Sequence, residues 1–460
     1  MQGYEIAGIT SILIIAGVFT MLFNWLRRIK KKDDGIFNFE RDHEVALQRN
    51  VFKSMGKGEA VFIGAAGNRK AYIESDAKHV FICGTTGSGK TIALSNFIKA
   101  GCQYDYPMLI IDGKGDTDAG SILEITKTIC PSRKLYVINL NEPNKSDKYN
   151  PFINTNIDVI KDMLINMTTW SEEHYKYNTE RYILRLLKLM MLSDIKVSLG
   201  SLTKYLPTSS FSLLSRNLSA KGIISKEEHI EDIELAKISG KIAEGAAARF
   251  ATINDSELGQ IFHEDGIDIY TALEGNAIIL FILNPLLYPE TSPLIGNLIV
   301  IDSKKAVSNF YKNKKKRIFY IMDEINVYAS SSLLDLVNKS RTANITCILA
   351  TQSLSDLDVV SSEFKEQIIE NCNNYLILRQ NSSVNAEHWS NIIGTRMSMQ
   401  ATYQVTGSGG DAKSTELGSV RRTREYIYHP DDIKLLKAGT AIFLSRDNMI
   451  HSKIKVNKPF

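Results

Sequence analysis

The run Gly84-Thr85-Thr86-Gly87-Ser88-Gly89-Lys90-Thr91 constrains this chain more than any other feature. It follows the branched apolar stretch HVFIC (79–83) and precedes IALSNFIKA, which has the spacing of a helix. A glycine-rich turn between a buried strand and a helix, closed by Lys-Thr, is the phosphate-loop pattern GxxxxGK[ST] in the context that gives it meaning. Its glycines let backbone N–H groups curl around phosphate oxygens, and the helix adds its positive end. Lys90 is placed to reach the outer phosphates and the Thr91 hydroxyl to hold Mg2+. Gly84, Thr85, Thr86, Gly87, Ser88 and Gly89 form the cradle. The alternative, an ordinary glycine-rich turn, accounts for neither flank.

Short branched runs continue the rhythm: MLIID (108–112), KLYVINL (134–140), AIILFIL (277–283), IFYIMD (318–323), ITCILA (345–350), NYLIL (374–378) and TAIFL (440–444). Helix-length segments separate several of them, which predicts an α/β fold with a parallel sheet and helices on both faces. AVFIG and RKAYI around Gly67-Asn68 read as a hairpin. From Asn156 to about His263 the rhythm changes to amphipathic helices, clearest in TERYILRLLKLMML (179–192), which predicts an inserted all-helical domain. The expected division is 1–35, 36–155, 156–263 and 264–460. By composition, 407–415 (GSGGDAKST) is a flexible loop.

A phosphate loop needs a second acid at the end of a neighbouring strand, and IFYIMDEIN supplies Asp323 and Glu324. Asp323 is expected to hold Mg2+ and Glu324 to polarise an attacking water as general base, as in hydrolysing P-loop ATPases. Taken alone, a strand-end Asp-Glu is as well explained by a helix cap. Gln352, closing ITCILATQ, is expected to sense the terminal phosphate. Arg341 lies between Glu324 and Gln352 at a helix-to-strand junction, as an arginine finger acting on a neighbouring subunit or as a helix-end cation. Asp112, Lys114 and Asp116 sit at the end of MLIID, on the edge where open α/β sheets keep their ligands, and a surface turn explains them almost as well. Arg421, Arg422 and Arg424 with Lys413 form one basic cluster, and Lys312, Lys314, Lys315, Lys316 and Arg317 another. Either would suit a phosphate backbone, although solvated charge is the commoner reason for such runs.

Residues 6–26 carry no charge, and at 1.5 Å per residue the segment would be about 31 Å long, a membrane span. Arg27, Arg28, Lys30, Lys31 and Lys32 follow it, which predicts a cytoplasmic carboxy-terminal bulk. A cleaved leader would need its positive charge first. Lys+Arg 55 against Asp+Glu 51 leaves a net charge of +4, so any nucleic-acid contact has to be local. The cysteines Cys83, Cys102, Cys130, Cys347 and Cys372 form no CxxC pair, which argues against structural zinc and fits a reducing compartment.

In this order, a membrane segment, HVFICGTTGSGKT, IIDGKGD, YNPF (149–152), a helical insertion, IMDEI, Arg341, ATQS and RRTREYIYHPDDIKLLKAGTAIFL resemble the coupling proteins of bacterial conjugation and type IV secretion. These are the TraD/TraG-like members of the wider FtsK/HerA ATPases. The resemblance covers essentially the whole cytoplasmic part. Gly113 stands where the family usually carries a proline, and one membrane segment stands where many members have two. The resemblance implies a RecA-like nucleotide domain, a helical domain at the cytoplasmic entrance and a hexameric ring at the inner membrane. It further implies ATP and Mg2+ as cofactors, and pumping of single-stranded DNA with its attached relaxase toward secretion-channel components. It places the finger at Arg341 and a second trans-acting cation at Lys365. A duplex-DNA motor and a nucleotide-assembled docking receptor for protein substrates stand as alternatives.

Overall fold

The computed structural model describes residues 58–74, 79–167, 172–312, 316–406 and 413–460. The apolar segment 6–26 with its basic flank, residues 407–412, Lys314 and Lys315 lie outside these residues. Among the described residues no helix is long and apolar enough to cross a membrane.

Every apolar run read from the sequence falls on a strand. A hairpin, β1 (Ala60–Ala66) and β2 (Arg69–Glu74), turns at Gly67-Asn68. Next come β3 (His79–Cys83), α1 (Lys90–Gln103), β4 (Met108–Asp112), α2 (Ile122–Ile129) and β5 (Leu135–Asn139). Helices alone fill the following stretch: α3 (Ile157–Asn166), α4 (Glu173–Leu192), α5 (Leu199–Tyr205), α6 (Thr208–Ala220), α7 (Lys226–Leu235), α8 (Lys241–Asn254) and the short α9 (Ile269–Glu274). The sheet resumes with β6 (Ile278–Ile282), α10 (Thr291–Phe310), β7 (Ile318–Asp323), α11 (Ser331–Ser340) and β8 (Ile345–Thr351). Then follow α12 (Ser355–Asp358), α13 (Ser362–Asn371), β9 (Cys372–Ile377), α14 (Ser383–Ile393), β10 (Thr395–Thr406) and β11 (Lys413–Tyr426). The chain closes with α15 (Pro430–Lys434), β12 (Thr440–Ser445) and β13 (Ile450–Val456).

The strands order as β2-β1-β13-β12-β9-β3-β8-β7-β4-β6-β5. From β9 to β5 every pairing is parallel, because a helix crosses between consecutive strands and covers the sheet. That coverage is why β3, β4, β6, β7 and β8 are buried at every position and read as unbroken apolar runs. TAIFL departs from the expected parallel sheet: β12 pairs antiparallel with both β9 and β13. Only residues 446–449 join β12 to β13, too few for a crossover.

In the helical stretch, α4 buries Tyr182, Ile183, Leu186, Leu187, Leu189 and Met190, the stripe its periodicity predicts. Arg185 grips Asp232 of α7 with Nε and Nη2 at 2.5 and 3.0 Å, and Ser215 of α6 donates to the same carboxylate at 2.6 Å. YNPF is the seam between sheet and helices. Buried Tyr149 donates to Asp302 of α10 at 2.9 Å, and the Asn150 amide donates to Val197 O and Glu264 O at 3.0 and 3.3 Å.

Residues 413–415, expected in a loop, begin β11, which pairs with β10 in a separate two-stranded ribbon. Its register sets Arg422 opposite Met399 and Arg424 opposite Met397, whereas Arg421 faces Gln400. Strand alternation therefore puts Arg422 and Arg424 on one face and Arg421 on the other. Lys316, from the second basic run, is paired with Asp105 at 2.8 Å.

Candidate functional site

The parallel strands all end on one edge, and there the predicted residues converge. After β3 the chain turns through 84–89 and enters α1 at Lys90. Ser88 N–H donates to Thr85 O at 3.0 Å, curling the loop, and Gly439 N–H donates to Ser88 O at 2.9 Å from the turn before β12. Lys90 lies under this loop, 8% exposed, with Nζ 3.1 Å from Gly84 O and 3.1 Å from Glu324 Oε1. That same Glu324 oxygen accepts from Gln352 Nε2 at 3.0 Å, and Gln352 Oε1 accepts from the Thr86 hydroxyl at 3.0 Å. Lys90, Glu324, Gln352 and Thr86 thus close a circuit from the phosphate loop, across two strand ends, and back.

Glu324 occupies the left-handed region, φ 48, where a residue with a side chain is strained. Its N–H folds back onto Asp323 Oδ1 at 3.0 Å, and the turn swings the Glu324 carboxylate toward Lys90. Asp323 is registered beside Asp112 of the adjacent strand, and both are 2% exposed. Burial, then the charges of Glu324 and Asp112, push Asp323 up to about 7. Burial raises Asp112 to about 6 against the opposing N–H groups of Lys114 and Gly115. Asp356 is also raised, by burial first and then by the charge of Glu324, against the opposing N–H of Ser353.

Gly113 explains how the acids sit so close. A Cβ there would lie 2.9 Å from both Asp323 O and Glu324 O, and its N–H donates to Asp323 O at 3.3 Å. A proline at this position could not make that bond. Gly115 has φ +76, and a Cβ on it would stand 2.2 Å from Leu283 O. The Gly115→Ala variant is expected to lose about 2 kcal/mol or more of stability, read by denaturant unfolding, because both backbone strain and a main-chain clash must be relieved.

Not all predicted residues meet. Arg341 opens a short turn after α11 and precedes the first residue of β8, so it lies at the opposite edge of the sheet. The length of β8, at ~3.3 Å per residue, puts it about 20 Å from its own Gln352. It is exposed there, beside the buried His79 that ties α11 to the base of β3. A finger role in its own site is excluded by that distance; a helix-end cation and a finger for a neighbouring chain both fit the position. Lys365 is paired with Asp358 at 2.9 Å and only 14% exposed. Lys114 and Asp116 pair with each other at 2.7 Å.

A magnesium–nucleotide pair suits this chemistry. Ser88 Oγ and Thr85 Oγ1 are buried without hydrogen-bond partners among the described residues, and three carboxylates crowd one ammonium. No cluster of three or more His, Cys, Asp or Glu side chains with metal-binding geometry occurs among the described residues. Mg2+ does not need one: it is commonly held by one or two protein oxygens plus phosphates and water. Thr91, which follows Lys90 in α1, and the buried Asp323 are the residues that would hold it.

Residues 277–457 match the family model described as the type IV secretion-system coupling protein DNA-binding domain. Over that stretch, under half of its length, the chain is similar to the type IV coupling proteins. The resemblance drawn from its motifs is borne out. Its fold is that of the bacterial conjugative coupling protein TrwB: TM-score 0.62 at 17% identity, over 89% of this chain and 91% of that one. TrwB in complex with ADP and Mg2+ gives 0.62 at 15% identity, over 90% and 92% of the two chains. An uncharacterized protein of Mycoplasma pneumoniae is 27% identical over 101 residues, 22% of this chain and 67% of that one.

The sequence missed the Gly113 and Gly115 approaches and the Asn141 and Asn284 side chains that brace Gly115. Asn141 Nδ2 donates to Gly115 O at 2.9 Å and Asn284 Nδ2 to Asn141 Oδ1 at 2.5 Å. Two glycines flanking one lysine directly after a strand-end acid were the available signal.

Proposed function

We propose that this chain is a membrane-anchored, ring-forming ATPase that drives single-stranded DNA, with an attached relaxase, toward a type IV secretion channel. The observation that carries the reading is the Lys90–Glu324–Gln352–Thr86 circuit at the sheet edge. In this reading ATP draws Lys90 onto its outer phosphates, and Glu324, relieved of its ion pair, orients and deprotonates the attacking water. Thr91 and Asp323 would hold Mg2+, which would supply neutralisation of the phosphate charge. Gln352 exchanges its bond to Thr86 for one to the terminal phosphate or the water, and so reports nucleotide state to the loop carrying Asp356. The nucleotide complexes of TrwB and the family's DNA-binding domain support this assignment. The helices between 156 and 263 form a distinct entrance domain, and segment 6–26 holds the ring at the inner membrane.

Arg341, about 20 Å from its own phosphate loop, completes the site of the next subunit. ATP turnover by the full-length chain, measured without DNA, with single strands and with duplex across protein concentration, tests this. The expected result is stimulation by single strands, a rate per chain that climbs steeply with concentration, and a loss of about 10²-fold or more in Arg341→Ala. Preferential stimulation by duplex would favour a duplex motor. Turnover indifferent to DNA and first order in chain would favour a docking receptor and overturn the translocase.

A further inference from the structure

The loop that follows β9 backs the phosphate loop from the side opposite the acids. In the strand order β9-β3-β8-β7-β4, Gln352, Glu324, Asp323 and Asp112 all follow strands on one side of β3. On the other side Leu378 N–H donates to Cys83 O at 2.8 Å, and Thr85 N–H donates to Arg379 O at 3.0 Å. Leu378 packs so close to Gly84 that a Cβ there would stand 2.6 Å from its own Cβ, and Gln380, 1% exposed, donates back to Leu378 O at 3.3 Å. The backbone of Arg379 is therefore fixed against the phosphate loop from both neighbours.

Its side chain is not accounted for by the fold. Arg379 is half-buried, and its Nε is shut off from water without a hydrogen-bond partner among the described residues. A guanidinium N–H in that condition is costly unless an acceptor arrives, and none of the described residues supplies one. The site also needs the charge. Lys90 is held by Glu324 and Gly84 O, while Arg341 lies at the far edge. A triphosphate entering here would meet several carboxylates, with Lys90 already engaged by one of them and Lys114 by Asp116.

We propose that Arg379 is a second phosphate ligand supplied by the same chain, its guanidinium donating to the nucleotide's phosphate oxygens on the flank away from the acids. Arginine suits this because its planar fork donates in parallel to phosphate and keeps its charge when desolvated. The inference rests on the nucleotide-binding reading given above and adds a residue to it.

The test is binding of a fluorescent ATP analogue to the full-length chain, with displacement by ATP and by inorganic tripolyphosphate, in wild type, Lys90→Ala, Arg379→Ala, Arg379→Met and Arg379→Lys. Thermal unfolding without nucleotide is recorded for each. Arg379→Ala and Arg379→Met are expected to weaken ATP and tripolyphosphate alike by about tenfold or more, with partial recovery in Arg379→Lys. Their nucleotide-free melting is expected to match wild type, since no partner among the described residues is lost. Binding within twofold of wild type in both variants, with Lys90→Ala defective, overturns the role of Arg379 and leaves the phosphate loop standing. Nucleotide-free melting well below wild type in Arg379→Met would mark a packing role and overturn it equally. Normal binding in Lys90→Ala would sink the nucleotide site itself, and this proposal with it.

Discussion

Replacing Glu324 by Gln is expected to lower ATP turnover by about 10²–10⁴ while leaving nucleotide binding close to wild type. The isosteric amide keeps an oxygen that can accept from Gln352 Nε2 and from Lys90, so the circuit of 3.0 and 3.1 Å contacts survives. What it loses is the negative charge that takes a proton from water. Lys90→Ala should behave differently, losing nucleotide binding itself, because Lys90 is the ammonium beneath the loop. Single-turnover hydrolysis on prebound nucleotide separates chemistry from binding. If Glu324→Gln retains turnover within tenfold of wild type, Glu324 is not the base, and Asp356, raised by burial beside it, becomes the acid to examine.

The parts of the fold legible in the sequence are those where burial is symmetric. IFYIMD and ITCILA are apolar at nearly every position because helices cover both faces of β7 and β8. IHSKIKV was not read as a strand: β13 sets buried Ile450, Ile454 and Val456 among polar neighbours, and Ser452 interrupts the apolar alternation. The β10–β11 ribbon was hidden for the same reason, since RRTRE reads as solvated charge until register separates its two faces. In the site, the strand-end acids were legible because sequence order fixes which edge they occupy. The circuit joining them was not, because Thr86 and Gln352 meet across 266 positions through sheet order alone. Arg341 could be placed at a helix-to-strand junction from the sequence, but that this junction faces away from its own phosphate loop follows only from the parallel sheet. Gly113 read as a departure from the family proline. In the structure it permits the close packing of the acid turn.

Replacing Asp323 by Asn is expected to do two opposite things: reduce Mg2+-dependent turnover by about 10²-fold or more, and stabilise the nucleotide-free protein above neutral pH. Asp323 is held near 7 by burial and by the charges of Glu324 and Asp112, well above the ordinary carboxylate value. A carboxyl raised in this way takes up a proton on folding, so the folded state binds more protons than the unfolded one. Stability from this group therefore falls as pH rises from about 4 to about 7, and Asp112, raised to about 6, acts in the same direction. His79 opposes them over part of that range: burial lowers it to about 4, so its contribution is lost as pH falls below the ordinary histidine value. The difference in melting temperature between wild type and Asp323→Asn removes the histidine and isolates the acid. That difference should favour the variant at pH 8 and shrink or reverse by pH 5. Mg2+ reverses the balance for wild type alone, because a divalent ion at Asp323 requires the ionised form. Binding of magnesium nucleotide near pH 6.5 should then release protons, read as a dependence of the calorimetric heat on buffer ionisation enthalpy, and the release should shrink in Asp323→Asn. Equal proton release in both proteins would place the metal on other oxygens, and the raised pKa of Asp323 would then reflect burial with no metal to relieve it.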